Sequence, residues 1–102
     1  VILTLGDQGN CLQEGRKRIF LPCCPVEVVD TVGAGDTFTG FFLAAKLAGK
    51  SALDCLAVAT AASACAVTKK GASASIPTLA EAQTLLNQYH DYLWSKKTEI
   101  TF

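Results

Sequence analysis

No apolar run in this sequence reaches the roughly 18 residues that cross a bilayer. The opening Val1-Ile2-Leu3-Thr4-Leu5 also lacks the basic leader and cleavage pattern of a secretory signal. A cytoplasmic protein with no membrane partner is the expectation. Neither sign of charge is in excess: nine Lys and Arg stand against nine Asp and Glu in 102 residues. That balance offers no basic footprint for nucleic acid, so the expected partner is a small molecule. Histidine occurs once, and the five cysteines (Cys11, Cys23, Cys24, Cys55, Cys65) contain no Cys-x-x-Cys spacing. An odd count without that spacing argues against a disulfide framework and against a zinc site. Cys55 and Cys65 fall in an Ala-rich helical pattern, where free cysteine behaves as a small core residue. Repeats and low-complexity tracts are lacking as well. The chain opens on a strand pattern with no Met, which predicts the interior of a longer protein.

What is present is a chain half apolar, enough for a core. Val1 to Leu5 reads as a buried strand closed by the turn Gly6-Asp7-Gln8-Gly9. Asn10 to Gln13 and Lys17 to Leu21 flank Glu14-Gly15-Arg16 and predict a β-hairpin. Pro22 and Pro25 bracket two cysteines, and Val26 to Val29 predicts a further short strand. A helix is expected behind Asp36, where Phe38, Phe41, Phe42 and Ala45 recur at helical spacing. A second, well-buried helix is predicted from Ala52 to about Val67, with Ser51 and Asp54 in capping-box spacing. After the breaker 68–77, Thr78 and Glu81 open a third helix with Leu79, Ala82, Leu85 or Leu86, Tyr89 and Leu93 inward. Beyond Trp94 the pattern fades toward a frayed end. Strands followed by helices indicate one end of an α/β sheet with unmet edges.

The segment richest in chemistry is Asp30-Thr31-Val32-Gly33-Ala34-Gly35-Asp36. Gly33 and Gly35 can adopt angles closed to other residues and leave the main chain bare for a ligand. The turn feeds a helix N-terminus, whose unpaired amides and partial positive charge favour an anion. Taken alone, the turn is equally compatible with a plain tight turn in which Asp36 only caps the helix.

Four collinear segments resemble the ribokinase-like (PfkB) carbohydrate kinases. They are Asp30 to Asp36 with Thr37-Phe38-Thr39-Gly40; Thr4-Leu5-Gly6-Asp7-Gln8-Gly9; the Ala-rich helix through Ala66-Val67-Thr68; and Lys70-Gly71-Ala72 leading to Ser75-Ile76-Pro77. The resemblance runs from Val1 to about Leu86, and the closing Lys-Gly-Ala and Ser-x-Pro pattern is nearest to the ribokinases of the group. It implies the C-terminal segment of an α/β/α sandwich, with residues 1–102 on the nucleotide and anion-hole side and the N-terminal sugar-binding part and lid absent.

The implied activity is ATP-dependent phosphorylation of a sugar hydroxyl, D-ribose to D-ribose 5-phosphate, with magnesium on the phosphates. Another kinase of the group, acting on fructose or a nucleoside, and a non-catalytic truncated fragment are the alternatives, and the isolated chain is expected to be inactive. Asp36 matches the catalytic base beside the sugar, and the amides of Gly33, Ala34, Gly35 and Asp36 match the anion hole. Thr4, Leu5, Gly6, Asp7, Gln8 and Gly9 match the nucleotide edge. Thr60 stands where relatives often carry Asn or His near the nucleotide; a packed threonine bonded to its own turn is the other reading. For a potassium ion the matching positions are Asp30, Val32, Ala66, Lys69, Gly71 and Ser75, where hard oxygen donors converge; Asp30 tying down two loops is the alternative. Lys69 and Lys70 read as solvated lysines matching a helix dipole. A homodimer stays open for the full-length protein.

Overall fold

The computed structural model describes residues 2–4, 9–69 and 76–101. Four strands, β1 (Ile2–Thr4), β2 (Asn10–Glu14), β3 (Lys17–Leu21) and β4 (Thr98–Thr101), form an antiparallel sheet in the order β1-β2-β3-β4. Three helices, α1 (Ala34–Leu47), α2 (Ala52–Val67) and α3 (Leu79–Lys96), complete the described elements.

The hairpin between β2 and β3 closes on Gly15-Arg16, with Asn10 opposite Leu21 and Leu12 opposite Ile19. Gly15 has a φ of 59°, the positive value that a two-residue hairpin loop needs at its first central position. Leu12, Ile19 and Leu21 point inward and are buried. Gly9, just before β2, has no alternative residue: a Cβ there would lie 2.5 Å from the Leu21 carbonyl oxygen.

α2 is the centre of the molecule. Its residues from Cys55 to Ala62 are all buried, because small Ala side chains let α1, α3 and the sheet approach it from several sides at once. Phe38 and Phe42 of α1 stack with centroids 6.4 Å apart and lie in this core, with Phe41 and Ala45 packed against it. Leu56 and Leu93 are fully buried, and truncating either to Ala would cost ~2–5 kcal/mol.

The helix ends follow their local signals. Ser51 Oγ accepts the Asp54 amide at 3.2 Å, one half of a capping box. Thr78 makes a whole one: its Oγ1 accepts the Glu81 amide at 3.1 Å, and its own amide donates to Glu81 Oε1 at 3.0 Å. At the far end of α1, Gly49 (φ 83°) turns the chain so that Lys50 N–H reaches the Ala45 carbonyl and Gly49 N–H the Lys46 carbonyl, a Schellman closure.

Four expectations are corrected. Residues 26–29 form no strand: Pro25 has no N–H to give a ladder, and the amides of Val29 and Asp30 instead both donate to the Val67 carbonyl at the end of α2. Leu79 is 66% exposed, because it is the first residue of α3 and precedes the inward stripe of buried Ala82 and Leu93 and half-buried Leu85, Leu86 and Tyr89. The end beyond Lys97 is a paired strand, β4 on β3, with Ile19 opposite Glu99. α1 begins at Ala34, so Gly35 and Asp36 are its first turn and not a loop ahead of it.

Candidate active site

The N-terminus of α1 is built by a turn that only glycine completes. Gly33 has φ 82° and ψ −4°, and the Ala34 amide donates to the Thr31 carbonyl at 3.2 Å. These are the angles and the bond of a type II turn with glycine at its third position. Gly35 is different: it is helical, and a Cβ added there would meet nothing within 4 Å. Its lack of a side chain opens space next to the backbone; its conformation asks nothing special.

Asp30 anchors the turn from below. Its Oδ1 accepts the Val32 amide at 2.9 Å, and its own amide joins that of Val29 on the Val67 carbonyl, at 3.1 and 2.7 Å. The turn is thereby fixed to the C-terminus of α2.

No side chain caps α1. Its first intrahelical bond runs from the Thr37 amide to the Gly33 carbonyl at 2.9 Å, so the Gly35 and Asp36 amides precede it with no intrahelical partner. Of the four amides matched to an anion hole, that of Ala34 is already engaged by Thr31. The uncapped end and the helix dipole favour negative charge at Gly35 and Asp36, and Asp36 is exposed beside them.

Two hollows meet at this turn. One, of about 360 Å³, is lined by Gly33, Asp36, Thr37, Gly40, Phe41, Ala44 and Ile76. The other, of about 580 Å³, has Thr31, Ala34 and Gly35 on its rim and extends to Asn10, Thr60 and Ser63. Asp36 therefore faces one space and Gly35 the other.

Thr60, 2% exposed, donates its hydroxyl to the Leu56 carbonyl at 2.7 Å and accepts from Asn10 Nδ2 at 3.3 Å. Asn10 was not singled out in the sequence; its only signal was a polar residue at an inward strand position. Around Asp30, the Ala66 carbonyl takes the Lys69 amide at 3.2 Å, and the Lys69 ammonium pairs with Glu81 Oε2 at 3.1 Å. Thr4 is described in its backbone alone, as the end of β1 opposite Asn10. Leu5, Gly6, Asp7, Gln8, Lys70, Gly71 and Ser75 lie outside the described residues.

Cys24 and Cys55 are buried and Cys65 is partly buried. Burial, with Cys23 and Cys65 nearby, pushes the Cys24 thiol up to about 12, and burial also raises Cys55 and Cys65. None of these three is a thiolate near neutral pH. Among the described residues no helix is long and apolar enough to cross a membrane.

Residues 1–79 match the model of the pfkB family carbohydrate kinases. The chain belongs to the pfkB family. It is 44% identical over 87 residues to the ribokinase of Haemophilus influenzae, a match covering 84% of this chain and 28% of that protein. The structure of Arabidopsis thaliana ribokinase complexed with ribose and ATP superposes with a TM-score of 0.79 at 41% identity, over 83% of this chain and 28% of that one. An E. coli structure described as a ribokinase II, in complex with ATP and Mg2+, gives 0.78 at 34% identity, over 81% and 27%. The chain thus has the ribokinase fold and spans less than a third of the length of the pfkB relatives it matches.

Proposed function

We propose that the full-length protein transfers the γ-phosphoryl group of ATP to a hydroxyl of D-ribose, giving D-ribose 5-phosphate, with Asp36 as general base. The observation that carries this reading is the position of the α1 N-terminus between two hollows, with Asp36 lining one and Gly35 and Thr60 the other. A sugar hydroxyl in the first hollow meets a carboxylate able to take its proton. Phosphates entering from the second reach the same uncapped amides.

In the step itself the sugar oxygen bonds to the γ-phosphorus, the bond to the bridging oxygen breaks, and ADP leaves. Asp36 accepts the hydroxyl proton as the oxygen attacks. The amides of Gly33, Gly35 and Asp36 take up charge developing on the phosphoryl oxygens, with that of Ala34 shared with Thr31. Phosphoryl transfer needs mainly positioning and charge neutralisation, and a rigid helix start supplies both. Magnesium neutralises the phosphates when bound.

The nucleotide edge is assigned to Thr4, Gly9 and the residues 5–8 between them. Ribose is favoured over other sugars by the likeness to ribokinases and by the closing residues Ser75-Ile76-Pro77. Asp30 and the carbonyls of Val32, Ala66 and Lys69 form an all-oxygen donor set suited to potassium, with Gly71 and Ser75 as its further members. A carbonyl that accepts one amide retains a second lone pair, so the hydrogen bonds at Ala66 do not preclude it.

The test is a phosphorylation assay of the full-length protein with ATP and magnesium on ribose, fructose and nucleosides, with and without potassium. Ribose is expected to exceed the others at least tenfold in kcat/KM, and potassium to raise the rate. A preference for fructose or a nucleoside would contradict ribose, and no transfer to any acceptor would contradict the kinase reading.

A further inference from the structure

The second hollow contains a buried carboxamide, that of Asn10, whose bonding is half finished. Asn10 is 6% exposed and sits at the start of β2, opposite Leu21 on one side and Thr4 on the other. Its Nδ2 donates to Thr60 Oγ1 at 3.3 Å. The direction of that bond is fixed by Thr60: its hydroxyl hydrogen is spent on the Leu56 carbonyl at 2.7 Å, so Thr60 can only accept from Asn10. The carboxamide is thus held in one of its two flips.

The Asn10 carboxamide oxygen takes no hydrogen bond from a described residue. Among the described residues no side-chain oxygen or nitrogen sealed from solvent lacks a partner, so this oxygen is reached from outside. Asn10 lines the hollow of about 580 Å³ together with Thr60, Gly35, Phe38 and Val67. Mostly apolar walls with a few placed polar groups, here Asn10 with Thr31, Ser63 and Tyr92, are the usual make-up of a site that holds a flat heterocycle, and Asn10 is the one whose acceptor is oriented by a buried partner.

We propose that Asn10 selects the base of the phosphoryl donor, its carboxamide oxygen accepting a hydrogen bond from the exocyclic amino group of adenine. Thr60 acts through Asn10 as a positioning residue. This rests on the kinase reading, because Gly35 at the rim of the hollow holds the phosphates of the same ligand. A 6-oxo purine presents an acceptor where adenine presents a donor, and an acceptor facing the Asn10 oxygen leaves both unpaired.

The experiment compares ATP with inosine triphosphate, which differs at the 6-position, in the full-length protein. Wild type is expected to favour ATP in kcat/KM, with Asn10→Ala lowering that preference about tenfold or more. Thr60→Val, which keeps Asn10 but frees its flip, is expected to lower it by a smaller factor. A merely structural role for Asn10 would depress both donors equally, so an unchanged ATP-to-inosine-triphosphate ratio in both variants overturns the proposal. If Asn10→Ala does not fold, Thr60→Val decides by the same ratio. If wild type shows no phosphoryl transfer, the kinase reading fails separately. The base preference is then read from calorimetric Kd values for the two nucleotides, where an unchanged ratio in the variants again overturns it.

Discussion

Replacing Gly33 by Ala would strain the site at a known point. Gly33 holds φ 82° at the start of α1, a left-handed conformation that costs an L-residue with a side chain ~1–2 kcal/mol. The chain can bear that strain or relieve it by opening the turn, and opening it displaces the Gly35 and Asp36 amides that follow. Removal of one well-placed anion-hole donor lowers kcat by about 10²–10³, so Gly33→Ala is expected to reduce kcat about a hundredfold while shifting Tm by only a few degrees. The fold supplies its own control. Gly49, at the other end of the same helix, has φ 83° and open space around its Cβ position, so Gly49→Ala carries the same backbone penalty far from the turn. Steady-state kinetics and thermal unfolding of both variants in the full-length protein separate strain from chemistry. Equal kcat losses in the two variants, or wild-type kcat in Gly33→Ala, would refute the reasoning.

Three further outcomes are expected. Thr78→Ala removes the acceptor of the α3 capping box and should destabilise the protein by ~1 kcal/mol in denaturant titrations without altering the sugar preference. Glu81 is held below the usual carboxylate range, first by the Thr78 amide and then by Lys69. Its contribution is therefore present above the unfolded carboxylate pKa and fades as pH falls through the lower folded value; Glu81→Gln should flatten that acid limb of the Tm-versus-pH curve, and an unchanged limb would count against the box. Cys24, with a thiol pushed up to about 12, should resist alkylation at pH 8 in the native protein and label only after denaturation; rapid native labelling read by mass spectrometry would contradict its burial.

Local signals carried much of the fold into the sequence. α2 runs from Ala52 to Val67 as its Ser51 cap and Ala-rich run predict, and the hairpin follows from the turn at Gly15 between two alternating runs. What the sequence hid depends on distant partners. β4 is Thr98-Glu99-Ile100-Thr101, with each residue on the exposed side, and nothing in so polar a stretch declares a strand until β3 lies beside it. Val26 to Val29 has the composition of a strand, yet its amides are claimed by a helix end. At the site, Gly33 was legible because a left-handed turn needs glycine, whereas the engagement of Ala34 by Thr31 was not, since hydrogen-bond partners among backbone amides leave no trace in residue type. Thr60 shows the same limit: its position was visible, and its partner Asn10, fifty residues away, was not.

The most direct measurement is single-turnover phosphoryl transfer from ATP to ribose by full-length Asp36→Asn protein, with ATP binding followed in parallel. Loss of the base should slow the chemical step about a thousandfold or more while ATP affinity changes only a few-fold, since the Gly35 amide and the second hollow remain. A near-normal transfer rate in Asp36→Asn would contradict the role given to Asp36 and with it the central claim.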